Sequence, residues 1–132
     1  VPGIRGYFNV GDVVIMTSAL LLGRKYGAYI GAIGPALADL FLGYAVFVPI
    51  TFVVKGIEGY LVGTVYNNKT TTSALAATIV GGIVIVAGYF IAEYFVFDPG
   101  VAIASILTNT IQAVMSVIVS MILYAILRKR LG

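Results

Sequence analysis

The sequence contains no cysteine and no histidine, and only 10% of its 132 residues are charged. Without cysteine the chain cannot form disulfides or thiolate metal sites. Without histidine it has neither the commonest metal ligand nor the usual general base near neutral pH. These absences argue against an enzyme, and we predict no cofactor.

Apolar residues make up 61% of the chain, and the mean hydropathy is +1.08. A soluble domain keeps a more polar surface, so the composition predicts a polytopic protein whose surroundings are the lipid bilayer. The net charge of +3 comes from lysines and arginines at the ends of apolar segments, which is typical of membrane topology signals and implies no nucleic-acid partner. These residues are Arg24, Lys25, Lys69, Arg128, Lys129 and Arg130.

Glycine, proline and polar turns divide the apolar sequence into segments, which predicts one integral membrane domain with an all-α bundle of five transmembrane spans. The predicted spans cover residues 11–23, 26–42, 46–65, 74–97 and 101–127. Residues 1–10, with two glycines and a proline, are predicted to form a loop. Asp12 at the start of the first, short span suits a helix N-cap.

The charged ends also predict the topology. If Arg128 to Arg130 lie in the cytoplasm, alternation places Lys69 and the Arg24-Lys25 pair inside, with Tyr44 and Asp98 outside. The C-terminus is then cytoplasmic. Residues 1–10 would lie outside without a signal peptide before them, so we expect a sixth helix upstream.

Apart from Asp12 at the start of the first span, four charged residues lie within the predicted spans: Asp39, Lys55, Glu58 and Glu93. A charge at the centre of a bilayer costs at least ~2.5 to 3.5 kcal/mol, so each one marks a binding site or a buried pair. At about 1.5 Å per residue, most polar groups fall in the outer half of the bundle, with Glu58 deepest. This distribution predicts a cavity open to the outside.

Each candidate also has a structural alternative. Asp39 and Lys55 could form a buried ion pair, and Glu58 could pair with Lys55 equally well. The amides of Asn109 and Gln112 could join helices or contact a ligand ring. Two further groups have a structural and a functional interpretation. The glycines could pack helices or dock a partner; they are Gly27, Gly31, Gly59 and Gly63. The tyrosines could lie at the membrane interface or stack on a ligand; they are Tyr7, Tyr44, Tyr89 and Tyr94.

Three stretches carry a family resemblance: GYFNVGD (residues 6–12), ALLLGRKYGAYIGAIGPALADLFLGY (residues 19–44) and PITFVVKGIEGYLVG (residues 49–63). In these the chain resembles an S component of an energy-coupling-factor (ECF) vitamin transporter. It is similar to the riboflavin-type branch, which includes proteins assigned to hydroxymethylpyrimidine and pyridoxine-like substrates. The small-residue docking motif of the family's first helix has no counterpart here.

The resemblance implies a six-helix subunit of a prokaryotic cell membrane that captures a small-molecule vitamin at its outer face. It docks on a transmembrane coupling subunit, and two ATPase subunits drive transport; the chain itself has no P-loop. Hydroxymethylpyrimidine or a pyridoxine-like ring is favoured, with riboflavin or another vitamin as the alternative. A membrane enzyme using Asp39 and Glu93 on a lipid headgroup, or an assembly subunit without ligand, are further alternatives.

The resemblance also makes the first loop a lid, with Asn9 facing the substrate. The candidate substrate contacts, from the resemblance and the polar positions together, are Asn9, Asp39, Tyr44, Lys55, Glu93, Asn109 and Gln112.

Overall fold

The computed structural model describes residues 2–43, 45, 48–67 and 69–131, and within these ranges the side chains of residues 11–128. These residues form five helices and no strand, so the predicted all-α fold is confirmed. The helices are α1 (Pro2–Leu22), α2 (Arg24–Phe41), α3 (Val48–Val65), α4 (Thr71–Val96) and α5 (Pro99–Leu131).

The first helix differs from its prediction because it begins at Pro2 rather than at residue 11. The predicted loop over residues 1–10 is therefore wrong. Proline is favoured at the first position of a helix, where its missing N–H costs nothing, and glycine is more frequent in membrane helices than in soluble ones. Asp12 consequently lies in the interior of α1 and does not cap it.

The helix boundaries follow local chemistry. Gly23 and Gly43, at the ends of α1 and α2, have φ of 97° and 86°, which L-residues with side chains rarely adopt. The Thr70 side chain caps α4 by accepting a hydrogen bond from the backbone N–H of Ser73 at 3.1 Å. Asp98 does the same for α5, accepting from the N–H of Val101 at 2.8 Å.

In the part of the chain that the structure describes, three helical segments are long and apolar enough to cross a membrane: Val48–Val65, Thr71–Val96 and Pro99–Arg128. The outer surface carries large apolar side chains, and Phe41, Phe95 and Leu107 are 84%, 79% and 70% exposed. A surface of this kind suits lipid rather than water.

Glycines hold α2 against α3, the pair with the most extensive packing. A Cβ added at Gly59 would lie 2.0 Å from the carbonyl oxygen of Gly27, and one at Gly31 would lie 2.2 Å from that of Lys55. Gly63 packs in the same way on the backbone of Arg24. These glycines each lie against the backbone of the neighbouring helix, which confirms that they pack the two helices.

Arg24, Lys69 and Arg128 lie at one end of the bundle, which we call the basic end. An Arg128 guanidinium N–H donates to the carbonyl oxygen of Lys69 at 3.4 Å and another donates to the Tyr124 hydroxyl, while the Arg24 backbone packs on α3. The Tyr66 and Tyr124 hydroxyls are also hydrogen-bonded. Burial, aided by that bond, raises the pKa of Tyr66 to about 12.

Candidate functional site

Charged side chains from four helices are buried inside the bundle. They are Asp12 of α1, Asp39 of α2, Lys55 and Glu58 of α3, and Glu93 of α4. A charge is tolerated within a membrane bundle when it faces the interior and meets a partner there. The contacts of each group therefore decide what the site can do.

Asp39 belongs to a hydrogen-bonded network that joins three helices. The Thr51 hydroxyl donates to Asp39 Oδ2 at 2.6 Å, and its oxygen lies 3.3 Å from the Tyr89 hydroxyl. Because threonine has a single hydroxyl hydrogen, Tyr89 is the donor in the second bond. Asp39, Thr51 and Tyr89 are 1%, 0% and 6% exposed, so this network is shielded from solvent.

Lys55 forms a buried ion pair with Asp12, and the two side chains are 1% and 0% exposed. Its Nζ also lies 5.4 Å from the centroid of the Tyr89 ring, within cation–π distance. From the sequence, Asp39 and Glu58 are the two possible ion-pair partners of Lys55. The structure instead pairs Lys55 with Asp12. The ion pair fastens α1 to α3, and Tyr89 connects it to the network around Asp39.

Glu58 lies about one turn beyond Lys55 on α3 and is 0% exposed. The charged groups with the strongest electrostatic effect on it are Asp12 and Lys55. Neither of its carboxylate oxygens has a hydrogen-bond partner among the described residues, and the same is true of Asp12 Oδ2. Two carboxyl groups and one ammonium therefore share this part of the interior.

Glu93 makes a separate contact between α4 and α5. The Ser105 hydroxyl donates to Glu93 Oε2 at 2.7 Å, and Glu93 is 8% exposed. Asn109 and Gln112 follow Ser105 along α5 and lie on the side of the helix that faces the bundle. Asn109 is half-buried and Gln112 is buried. The polar stripe of α5, which continues through Ser116 and Ser120, therefore faces inward as its spacing predicts.

Comparison with known proteins decides what kind of bundle this is. Residues 1–129 match the sequence model of the ECF-type riboflavin transporter S component. The chain belongs to this family. Its S components are transporter subunits that bind a vitamin or a vitamin precursor, so the protein is a multi-pass membrane protein of that class and not an enzyme.

The chain is also similar to two curated proteins. A protein of Pyrococcus woesei, described as "Uncharacterized protein in gap 3'region", is 41% identical over 135 residues, which cover 100% of this chain and 89% of the relative. The thiamine precursor transporter HmpT of Lactococcus lactis subsp. cremoris (strain MG1363) is 28% identical over 131 residues, which cover 98% of this chain and 75% of HmpT.

The S component brings only some of the predicted site residues together. Asp39 and Lys55 are joined through Thr51 and Tyr89, whereas Glu93 meets Ser105 in a contact of its own. The side chain of Asn9 and the whole of Tyr44 lie outside the described residues.

Sequence reasoning missed Asp12, Thr51, Tyr89 and Ser105 as partners of the charged groups. Tyr89 was interpreted as an interfacial or stacking residue, yet it is 6% exposed and hydrogen-bonded. The one available signal was the charge count, since several buried acids beside one lysine imply further polar partners. Tyr94, by contrast, is 42% exposed, as expected of an interfacial residue.

An open groove of about 650 Å³ runs between α4 and α5 on the outside of the helix bundle. Ile83, Phe90 and Val114 line it, and Thr110 contributes a hydroxyl-bearing side chain. A polar vitamin ring with several hydrogen-bonding groups would lose its water there without gaining partners. The groove is therefore a lipid-facing feature and not the candidate site.

Proposed function

We propose that this S component captures a small, water-soluble aromatic vitamin or precursor at the outer face, with a hydroxymethylpyrimidine or a pyridoxine-like ring favoured. The observation that carries the proposal is that buried polar contacts join α2, α3 and α4, and separately α4 and α5, away from the basic end in a chain of this family. The relative named as a thiamine precursor transporter supports a small ring of this kind.

The chemistry of such rings matches the groups available on α4 and α5. Their nitrogens and hydroxyls both donate and accept hydrogen bonds, so they need a carboxylate and amides as partners. Glu93 supplies the carboxylate, and Asn109 and Gln112 supply amides on the inward stripe of α5. Asn109 is half-buried, which leaves it within reach of a ligand that enters between the helices.

The remaining candidates have a different place in the proposal. Asn9 and Tyr44 stay proposed contacts from the outer side. Asp39 and Lys55 already have partners within the protein, so their proposed role is to hold the helices around the site in place.

Isothermal titration of the purified subunit in detergent tests the ligand. We expect hydroxymethylpyrimidine or pyridoxine to bind more tightly than riboflavin. Asn109→Ala should weaken that binding by about 1 to 3 kcal/mol, because a buried ligand group loses its partner, while Asp98→Asn, which keeps the cap of α5, should not. Unchanged affinity in folded Asn109→Ala would contradict this placement of the site.

Riboflavin is the second candidate, because the matching family model is described as a riboflavin transporter S component. The same titration separates the two ligands. Tight riboflavin binding with no measurable binding of the smaller rings would assign the subunit to riboflavin instead.

We also propose that transport is driven by ATP hydrolysis on partners, in the cell membrane of a prokaryote. The S component would dock on a transmembrane coupling subunit with two ATPase subunits, and the family membership supports this arrangement. In liposomes, the isolated subunit should bind its vitamin without accumulating it, and accumulation should require the coupling subunit, both ATPases and ATP. Uphill uptake by the isolated subunit without ATP would contradict the proposal.

A further inference from the structure

The charges buried in the bundle do not balance. Asp12, Asp39 and Glu58 supply three carboxyl groups against the one ammonium of Lys55, and none of these four side chains is more than 1% exposed. Lys55 is the direct partner of Asp12, and Asp39 accepts a hydrogen bond from Thr51. Glu58 is the carboxyl group left over, since neither of its oxygens has a hydrogen-bond partner among the described residues.

A carboxylate in such a place is neutralised rather than left bare. The cost of an isolated charge in an apolar interior is so large that the group takes up a proton or a cation. The titratable groups acting on Glu58 are Asp12 of α1 and Lys55 of its own helix. Beyond them, Asp39 of α2 and Tyr89 of α4 interact with Lys55.

We propose that Asp12, Lys55 and Glu58 form a buried proton-binding site, in which Glu58 is held as the neutral acid. The proton comes from solvent, bonds to one Glu58 carboxyl oxygen and is shared by hydrogen bonding with Asp12 Oδ2. That oxygen is the one the ion pair does not use, because Lys55 donates to Asp12 Oδ1. The group of three then carries no net charge: one neutral acid, one carboxylate and one ammonium.

A proton suits this place better than a metal ion. Among the described residues no three histidine, cysteine, aspartate or glutamate side chains are grouped to hold a metal ion. The surroundings are also tightly packed, since a Cβ added at Gly81 of α4 would lie 3.5 Å from Glu58 Cγ and 3.3 Å from the terminal methyl group of Met16. The proposal is independent of which vitamin the subunit binds.

Infrared spectroscopy of the purified subunit at neutral pH tests the site directly. The wild-type protein should show the carbonyl stretching band of a protonated carboxyl group, and Glu58→Gln should lose that band or a component of it. Asp98→Asn, which removes an exposed carboxyl group, should keep the whole band. A wild-type protein without the band, or a band unchanged in Glu58→Gln, would overturn the proposal.

Thermal stability in detergent supplies a second measurement, which in the wild type needs no variant. At pH 6 and above the folded protein still holds a proton that the unfolded chain has already released, so the wild-type melting temperature should fall as the pH is raised from 6 to 9. Folded Glu58→Gln should lose much of this slope. Sodium chloride and choline chloride at equal ionic strength should give the same melting temperature; a rise specific to sodium would show that a metal cation occupies the site and would overturn the assignment to a proton.

Discussion

At the scale of single residues, Lys55 is the centre of the buried network. It pairs with Asp12, lies over the Tyr89 ring and influences both Asp39 and Glu58. A buried ion pair often stabilises a fold no more than an apolar pair of the same shape would, because both charges lose their water. Breaking it by removing one partner is costly, because the other charge stays buried and unpaired.

Removing the lysine should therefore strongly destabilise the bundle. Lys55→Ala leaves Asp12 without its counter-charge, and we expect a loss of about 3 to 5 kcal/mol, read as a lower melting temperature in detergent. Adding Asp12→Asn should restore part of this loss, since the orphaned charge is removed with its partner.

The matched control is the double variant of Lys55→Ala with Asp39→Asn. Asp39 holds a hydrogen bond from Thr51, which is not the ion pair, so its neutralisation should rescue less. Equal or greater rescue through Asp39 would show that the ion pair assigned to Asp12 is wrong.

Sequence reasoning identifies the charged residues of this site but not their partners. Four charges inside apolar spans are visible in the chain itself, and their burial follows from the cost of exposing them to lipid. Which acid meets Lys55 depends on how far α1 extends and how it rotates against α3, and neither is fixed by local pattern. Thr51 and Tyr89 carry no signal at all, because either residue is common in a membrane helix.

At the scale of helices, the contact between α2 and α3 depends on residues without side chains. Gly27 and Gly59 bring the two backbones so close that no Cβ fits between them. This approach positions Asp39 of α2 against Thr51 of α3, so the geometry of the site depends on the glycines.

Gly59→Ala should therefore destabilise the bundle by about 1 to 3 kcal/mol or more, because the added methyl group would meet the backbone of Gly27 rather than a movable side chain. Thermal melting in detergent measures the effect. Gly34→Ala on the same pair of helices is the control, since an added Cβ meets nothing within 4 Å there. Similar melting temperatures for the two variants would contradict the packing role of Gly59.

Hydrogen bonds of Tyr124 and Arg128 join α5 to the connection between α3 and α4. The Tyr124 hydroxyl bonds both Tyr66 and Arg128, and Arg128 reaches the Lys69 carbonyl. Tyr124→Phe removes both bonds while keeping the ring packing, so we expect a loss of about 1 to 3 kcal/mol. Tyr94→Phe, at an exposed position, should leave the melting temperature near that of the wild type; an equal loss in both variants would contradict the assignment.

The boundaries of the helices show why local sequence is an incomplete guide. Gly23, Thr70 and Asp98 end or begin helices by conformations and caps that their residue types favour. Residues 2–10 carry a similar set of turn-forming residues, yet they belong to α1. In a membrane bundle, packing and the lack of water for bare backbone groups outweigh the low intrinsic helix propensity of glycine.

At the scale of the whole molecule, charge separates the two ends. Arg24, Lys69 and Arg128 gather at the basic end, and Asp98 lies at the opposite end, where it caps α5. Positive residues that flank short loops remain on the cytoplasmic side during insertion. The basic end is therefore predicted to be cytoplasmic, which leaves the network of Asp39, Thr51 and Tyr89 on the outer side, where a vitamin would arrive.

Single cysteines test this orientation cleanly, because the natural chain contains none. Ala45→Cys, in the connection between α2 and α3, and Thr72→Cys, in the first turn of α4, are both small changes at exposed positions. In intact cells a membrane-impermeant maleimide should label Ala45→Cys, and should label Thr72→Cys only after permeabilisation. Labelling of both after permeabilisation shows that each thiol is reactive, so the pattern in intact cells reports the side of the membrane alone. The reverse pattern would place the basic end outside and would turn the proposed capture site toward the cytoplasm, where it could not collect a vitamin for import.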